Sequence, residues 1–189
     1  MQPKRLLVLA SLALAAGCGS DKITGGTLSG SLSFTYTGGG GGTFNVSGAM
    51  PALTANIGNS NWAAGHLDTP NTQTGVFGVR ARGGGRYDQA VIGINRLTVG
   101  SSQVQSDCDP ETDNCSGMVL IVDVSQSDQE FDFICILETG SLAITEVSSS
   151  RVKGTFSGTG ECISSSLAIS SFTATNGTFD VPLVPALPE

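Results

Sequence analysis

The feature that most constrains how this chain can fold is a strict alternation near its N-terminal end. Leu28, Gly30, Leu32, Phe34 and Tyr36 fall on one face of an extended segment, and Ser29, Ser31, Ser33, Thr35 and Thr37 fall on the other. A period of two is the signature of a strand with one buried face. Five glycines, Gly38 to Gly42, follow, and Phe44 and Val46 resume the alternation. Two such runs joined by a glycine loop predict a hairpin. A phosphate-cradling loop would need a helix and a Lys-Ser or Lys-Thr after the glycines, and neither follows.

The pattern recurs along the chain. Strands are expected at 52–57, 75–82, 90–99, 118–124, 130–138, 142–147, 151–158, 167–175 and 178–183. No segment shows a 3.6-residue apolar period. Short strands separated by glycine, serine and asparagine predict an all-β domain, an antiparallel β-sandwich of about 9–11 strands, with a small β-barrel as the alternative and no substantial helix. Met118 to Val122 is continuously apolar. In the next strand Phe131, Phe133, Cys135 and Leu137 share one face while Ile134 and Ile136 take the other, so cover is expected on both sides. Gly42-Thr43-Phe44, Gly154-Thr155-Phe156 and Gly177-Thr178-Phe179 repeat a glycine bend followed by strand-forming residues, each opening a strand. The prolines from Pro182 onward remove ladder donors and are expected to end an edge strand.

Ahead of the first strand, Lys4 and Arg5 precede an apolar run from Leu6 to Ala16, and Gly17 leads into Cys18. A charged start, a short apolar stretch and small residues before a boundary make a secretory signal. The run is well short of the about 20 apolar residues a membrane-spanning helix needs. Leu14-Ala15-Ala16-Gly17-Cys18 resembles the lipobox of bacterial lipoproteins, with Ala15 where that pattern more often has leucine. The resemblance implies removal of residues 1–17, acylation of Cys18 (a palmitate-type modification), and a cell-envelope location held to the membrane through the lipid. Gly19 rather than aspartate follows the cysteine, which in that family favours the outer membrane over the inner. One acyl chain binds marginally, at about 0.8 kcal/mol per buried methylene, whereas the family's multiple acylation makes attachment effectively permanent. The expected organisation is a signal at 1–17, an acylated tether at 18–26, one domain at 27–184 and a tail at 185–189. The stretches RVKGTFSGTG (151–160) and NGTFDVPL (176–183) resemble the closing strands of small β-rich bacterial lipoprotein domains of unknown function, and LTANIGNSNWAAG (53–65) looks like their opening strand–turn–strand. That likeness implies a β fold and carries no activity.

The chain has nine basic and sixteen acidic residues; losing Lys4 and Arg5 with the signal leaves seven against sixteen, a formal charge of −9. Such a surface argues against nucleic acid, which requires a basic stripe, and against docking on anionic lipid. With Cys18 acylated, Cys108, Cys115, Cys135 and Cys162 remain. An even number in an exported chain reads as disulfides. Of the three possible pairings, Cys108–Cys115 and Cys135–Cys162 are favoured, because the first flanks a short polar loop and the second ties a strand to the turn after another. Zinc is disfavoured by the lack of Cys-x-x-Cys and by a single histidine.

Three groups are candidate sites. Asp107, Asp109, Glu111 and Asp113 alternate in a loop, and oxygen ligands at every second position can converge on calcium. The helix–loop–helix calcium spacing is absent, and a solvated acidic tip is the plainer reading. Arg80, Arg82 and Arg86 lie around a glycine turn and could bind an anion such as a carboxylate or sulfate; an exposed charged strand face is the plainer alternative. His66, beside an expected turn with Asp68 nearby, lacks a nucleophile-elbow Gly-x-Ser-x-Gly anywhere in the chain. Trp62, the only tryptophan, is expected to plug a core. Sixteen acids offer many carboxylate pairs, but at 6% aromatic content the chain is poor in the rings that hold sugar. The expectation is a non-enzymatic, lipid-anchored envelope protein whose partner is a protein or an envelope polymer. A carrier of small apolar ligands and an envelope hydrolase are the alternatives.

Overall fold

A computed structural model describes residues 28–51, 57–68, 73–106, 115–128 and 130–185. The expected acylation site Cys18 and its tether lie outside them, as do Cys108 and the acidic residues Asp107, Asp109, Glu111 and Asp113. Among the described residues the protein is all β, with one short 3-10 turn, Ile57–Asn59. The strands are β1 (Ser29–Thr37), β2 (Gly42–Ala49), β3 (Trp62–Asp68), β4 (Gln73–Gly83), β5 (Arg86–Ile94), β6 (Gly100–Gln105), β7 (Cys115–Ser125), β8 (Phe133–Val147), β9 (Arg151–Ser164) and β10 (Ile169–Pro185).

The alternation that predicted β1 is realised: Leu32, Phe34 and Tyr36 are buried and Ser31, Thr35 and Thr37 exposed. The glycine loop makes the expected β1–β2 hairpin, in register from Ser29–Ala49 to Tyr36–Gly42. Gly38 to Gly41 all have φ between 55° and 87°, a left-handed run that only glycine adopts without strain.

Two corrections concern the sheet. It is one ten-stranded mixed sheet rather than an antiparallel sandwich, because β3 pairs β10 and β6 pairs β7 in parallel. Its hydrogen bonds form a closed circuit, β10–β3–β4–β5–β7–β8–β9 and back to β10. The cause is the length of β8 and β10. The first pairs with β7 near its start and with β6 further on. The second pairs with β1 along its middle and with β3 at its end. Each was expected as two strands. Gly140 and Asn176-Gly177 read as turns, but the chain passes Gly140 in register with Gly158, with a shift just before it between Leu137 and Thr139, and passes Asn176 within a shift between Ala174 and Gly177.

Other boundaries also differ. Residues 52–56, most of an expected strand, lie outside the described residues. Strand β6 was not foreseen, and β3 carries the second strand expected within 53–65 on to Asp68, so His66 lies on a strand and not beside a turn. Only Gly42 of the three Gly-Thr-Phe echoes opens a strand; Gly154 and Gly177 lie inside β9 and β10. The prolines do not stop β10, since Leu183, between Pro182 and Pro185, still donates its N–H to the Ser150 carbonyl at 2.8 Å.

Strands of the circuit build the main core together with β1 and β2, with Leu32, Phe34, Phe44, Ile92, Leu120, Leu137 and Phe172 fully or nearly fully buried. Phe34 stacks on Phe44 at 5.1 Å and meets Phe156 edge-on at 5.5 Å. A second cluster of Trp62, Ala64, Val79, Tyr87 and Val124 covers the other face of β3, β4 and β5. Gly58, in the 3-10 turn, is buried there against Tyr87. Trp62 therefore plugs a core, the smaller of the two.

Candidate functional site

The three arginines singled out in the sequence are each paired with a carboxylate, Arg80 and Arg82 with Asp88 and Arg86 with Asp123. Strands β4 and β5 form a hairpin through Gly83-Gly84-Gly85, each with positive φ, and its register sets Arg80 opposite Asp88. Across β5, Tyr87 pairs Val124 and Gln89 pairs Ile121, so β7 carries one extra residue opposite Asp88. Asp123 takes up that excess in the left-handed region, at φ 58°. Its N–H, turned out of the ladder, donates to Asp88 Oδ1 at 2.9 Å.

Asp88 is fully buried. Arg82 Nε donates to its Oδ1 at 2.6 Å, and Arg80 Nε to its Oδ2 at 2.6 Å. A buried carboxylate is tolerable only when paired and hydrogen-bonded, and Asp88 is both. Arg80 also donates to the Thr43 carbonyl and lies 5.4 Å from the Phe44 ring centroid, bridging β4 to β2. Arg86 donates to Asp123 Oδ1 at 2.5 Å and to the Asp123 carbonyl at 2.7 Å, with Asp132 at 3.8 Å. Burial, the largest single effect, works against the charge of Arg82, but the Asp88 hydrogen bond together with the charges of Asp88 and Asp123 outweighs it, so the guanidinium sits above its ordinary value. The Asp123 hydrogen bond raises Arg86 in the same direction. Both are permanent cations that cannot exchange protons near neutrality.

Three guanidinium groups thus face three carboxylates. A free anion would have to displace Asp88, Asp123 or Asp132 to gain a bidentate contact. The geometry suits joining β2, β4, β5 and β7 better than holding a ligand. The sequence placed the arginines around one turn correctly. It did not single out Asp88, which the hairpin register sets opposite Arg80, or Asp123, which the bulge brings to Asp88 and Arg86.

His66 is exposed on β3, with Gly75 and Val184 as its register neighbours and Asp68 two residues along the same strand. Cys135 and Cys162, expected to pair, are bonded directly across β8 and β9 and are fully buried. Cys115 is also disulfide-bonded. Among the described residues no three histidine, cysteine, aspartate or glutamate side chains gather as a metal site.

A surface the sequence did not reveal lies on the outside of the long strands. Thr37, Thr173, Thr159 and Thr139 follow one another in register across β1, β10, β9 and β8. Beside them an open cleft of about 500 Å³ is lined by hydroxyls, among them Ser101, Ser141, Thr155 and Thr178. Its rows depend on β6 and on the unbroken length of β8 and β10, the elements that local signals misjudged. Comparison with protein-family models, with curated proteins and with solved structures finds no match to this chain.

Proposed function

We propose that this chain is a lipid-anchored, non-enzymatic protein of the bacterial cell envelope, acting by binding or as envelope structure. The observation that carries the reading is Cys18 directly after Leu14-Ala15-Ala16-Gly17 and a short charged-then-apolar segment. The buried Cys135–Cys162 bond supports it, because structural disulfides persist in oxidising compartments outside the cytosol. The arginine cluster is neutralised by its own aspartates, and the sequence carries no nucleophile-elbow Gly-x-Ser-x-Gly. Phe34, Phe44, Phe156 and Phe172 pack the space that a carried apolar ligand would need, which favours a binding surface over an internal cavity.

The test is metabolic labelling of the full chain in a bacterial host with an alkyne palmitate. The native chain is expected to take up label and sediment with outer membranes. The Cys18→Ala variant is expected to do neither. A native chain without label, or label retained by Cys18→Ala, overturns the anchor. In chromogenic ester and glycoside assays the chain is expected to match the buffer rate, and turnover abolished by His66→Ala would establish a hydrolase instead.

A further inference from the structure

The outer faces of β7 to β10 change character along their length. Ile169 of β10, Ile163 of β9 and Ile134 of β8 stand side by side in register. Ile136 of β8 and Val119 of β7 form the next row. All point away from the core, since their neighbours Cys162, Cys135, Leu120 and Met118 point into it. Further along the same strands the outward positions are Thr139, Thr159 and Thr173. Threonine serves an exposed sheet face as well as isoleucine does in β-propensity, so the isoleucines are not demanded by the strands.

The hairpin joining β9 to β10 extends the apolar patch. Leu167 is 80% exposed and Ile169 64% exposed. Leu167 has φ 65°, a conformation costly for a branched side chain, and is held there by its N–H bond to the Ser164 carbonyl at 2.8 Å. Exposed apolar area and backbone strain at one tip both oppose stability, and such features gather where a surface is used.

The rim is acidic. Glu161 lies between Ile136 and Ser171 in register. Asp128, Glu130 and Asp132 are exposed on the β7–β8 connection, and the Asp132 carbonyl accepts the Ser165 N–H of the tip. The cation seated there, Arg86, is engaged by Asp123 and Asp132. Like charges oppose a second copy of this face, and anionic lipid would be repelled. From these observations we infer that this patch docks a partner protein whose contact surface is apolar at its centre and lined with lysine or arginine.

The patch lies beyond the Thr37 end of β1, about 30 Å from Ser29 along that strand. The inference rests on the binding role proposed above and is independent of acylation.

The test places a photo-crosslinking residue at Ile163 or Ile136 of the full chain in intact producing cells, with Ser141 on the hydroxyl face as control. Capture of one heterologous protein from Ile163 and Ile136 but not Ser141 is expected. With that protein purified, Ile163→Thr and Glu161→Lys are each expected to weaken binding about tenfold, and raised salt to weaken it further. Crosslinks only to lipid, only between copies of this chain, or equally from Ser141 overturn the inference, as does purified binding indifferent to both substitutions. Membrane fractionation of the same cells reads the anchor separately, so either reading can fail alone.

Discussion

At the scale of the residue, glycine and phenylalanine are placed against each other. Gly154 faces Phe179 and Gly177 faces Phe156 across β9 and β10. A Cβ on Gly154 would lie 2.3 Å from the Phe179 ring, and one on Gly177 would lie 2.7 Å from the Phe156 ring. Each glycine costs about 0.5–1 kcal/mol of chain entropy, while a buried phenylalanine contributes about 1.5–3 kcal/mol, so the exchange favours folding. Gly39 serves the disulfide in the same way. It is buried with φ 55°, and a Cβ there would sit 2.8 Å from Cys135 Sγ and 3.1 Å from Cys162 Sγ. Gly84 has a similar φ of 62° with open space around it. Gly84→Ala is therefore expected to cost only the left-handed penalty, about 1 kcal/mol. Gly39→Ala is expected to cost clearly more, about 2–4 kcal/mol. Urea midpoints of the two variants check this; equal shifts would show that the loop does not press on the disulfide. Asp88 allows a second comparison. Removing one partner of a fully buried pair costs about 3–5 kcal/mol, but Arg80 and Arg82 keep side-chain exposures of 25% and 38%. Asp88→Asn is accordingly expected to cost about 2–3 kcal/mol, and a loss below 1 kcal/mol would assign the network no role in joining the strands.

At the scale of the element, turns and bulges leave the same mark in a sequence. In β10 the buried positions run Phe172, Ala174 and then Gly177, Phe179, Val181, a slip from even to odd numbers. In β8 they run Cys135, Leu137 and then Leu142, Ile144, the opposite slip. Either slip can arise from a turn between two strands or from extra residues within one. Asn-Gly and Gly favoured the turn, while pairing to β9 on both sides of each slip decided for the bulge. Strand β1, with regular alternation, was legible from Gly30 onward, while Leu28, expected on its buried face, is exposed. Strand β3 was not legible in this way, because Ala63, Ala64 and Gly65 carry too little contrast to show a period. The arginines were legible as a cluster around their turn, but Asp123 lies on β7, whose pairing with β5 no local signal shows. The bulge gives a direct check at Asn176, held at φ 53°. Asn176→Gly is expected to be neutral within about 0.5 kcal/mol, and Asn176→Val to cost about 1–2 kcal/mol. Equal stability of the two in thermal unfolding would count against the left-handed bulge. The second cluster should respond to alkali through Tyr87, whose burial raises the phenol above its ordinary value near 10. The folded state thus favours the neutral phenol. That stability is fully present below the ordinary value and is lost as pH rises through the higher folded value. Tyrosinate absorbance should show one phenol ionising late, together with a falling urea midpoint above about pH 10. A late phenol that persists in Tyr87→Phe would exclude this residue.

At the scale of the molecule, the pairing of β1 with β10 joins the two ends of the described chain. Ser33 of β1 bonds Thr178 of β10 at 2.9 Å, 145 residues along the chain. The β8–β9–β10 meander is local by contrast, and its disulfide spans a separation of 27. Loop-closure entropy makes the distant pairing the slow step, so refolding on a millisecond-to-second scale or slower is expected. The chain-entropy account assigns a crosslink of that span about 3.6 kcal/mol. Its kinetic consequence depends on when β8 and β9 meet. If the meander forms first and the circuit closes on it, the crosslink acts before the barrier. The double variant Cys135→Ala/Cys162→Ala should then lose most of its stability through slower folding, with the unfolding rate nearly unchanged. Stopped-flow fluorescence of Trp62 across a urea series measures both limbs. A variant that folds at the native rate and unfolds faster would place closure of β10 on β1 and β3 ahead of the meander, and the order of assembly argued from chain separation would be reversed.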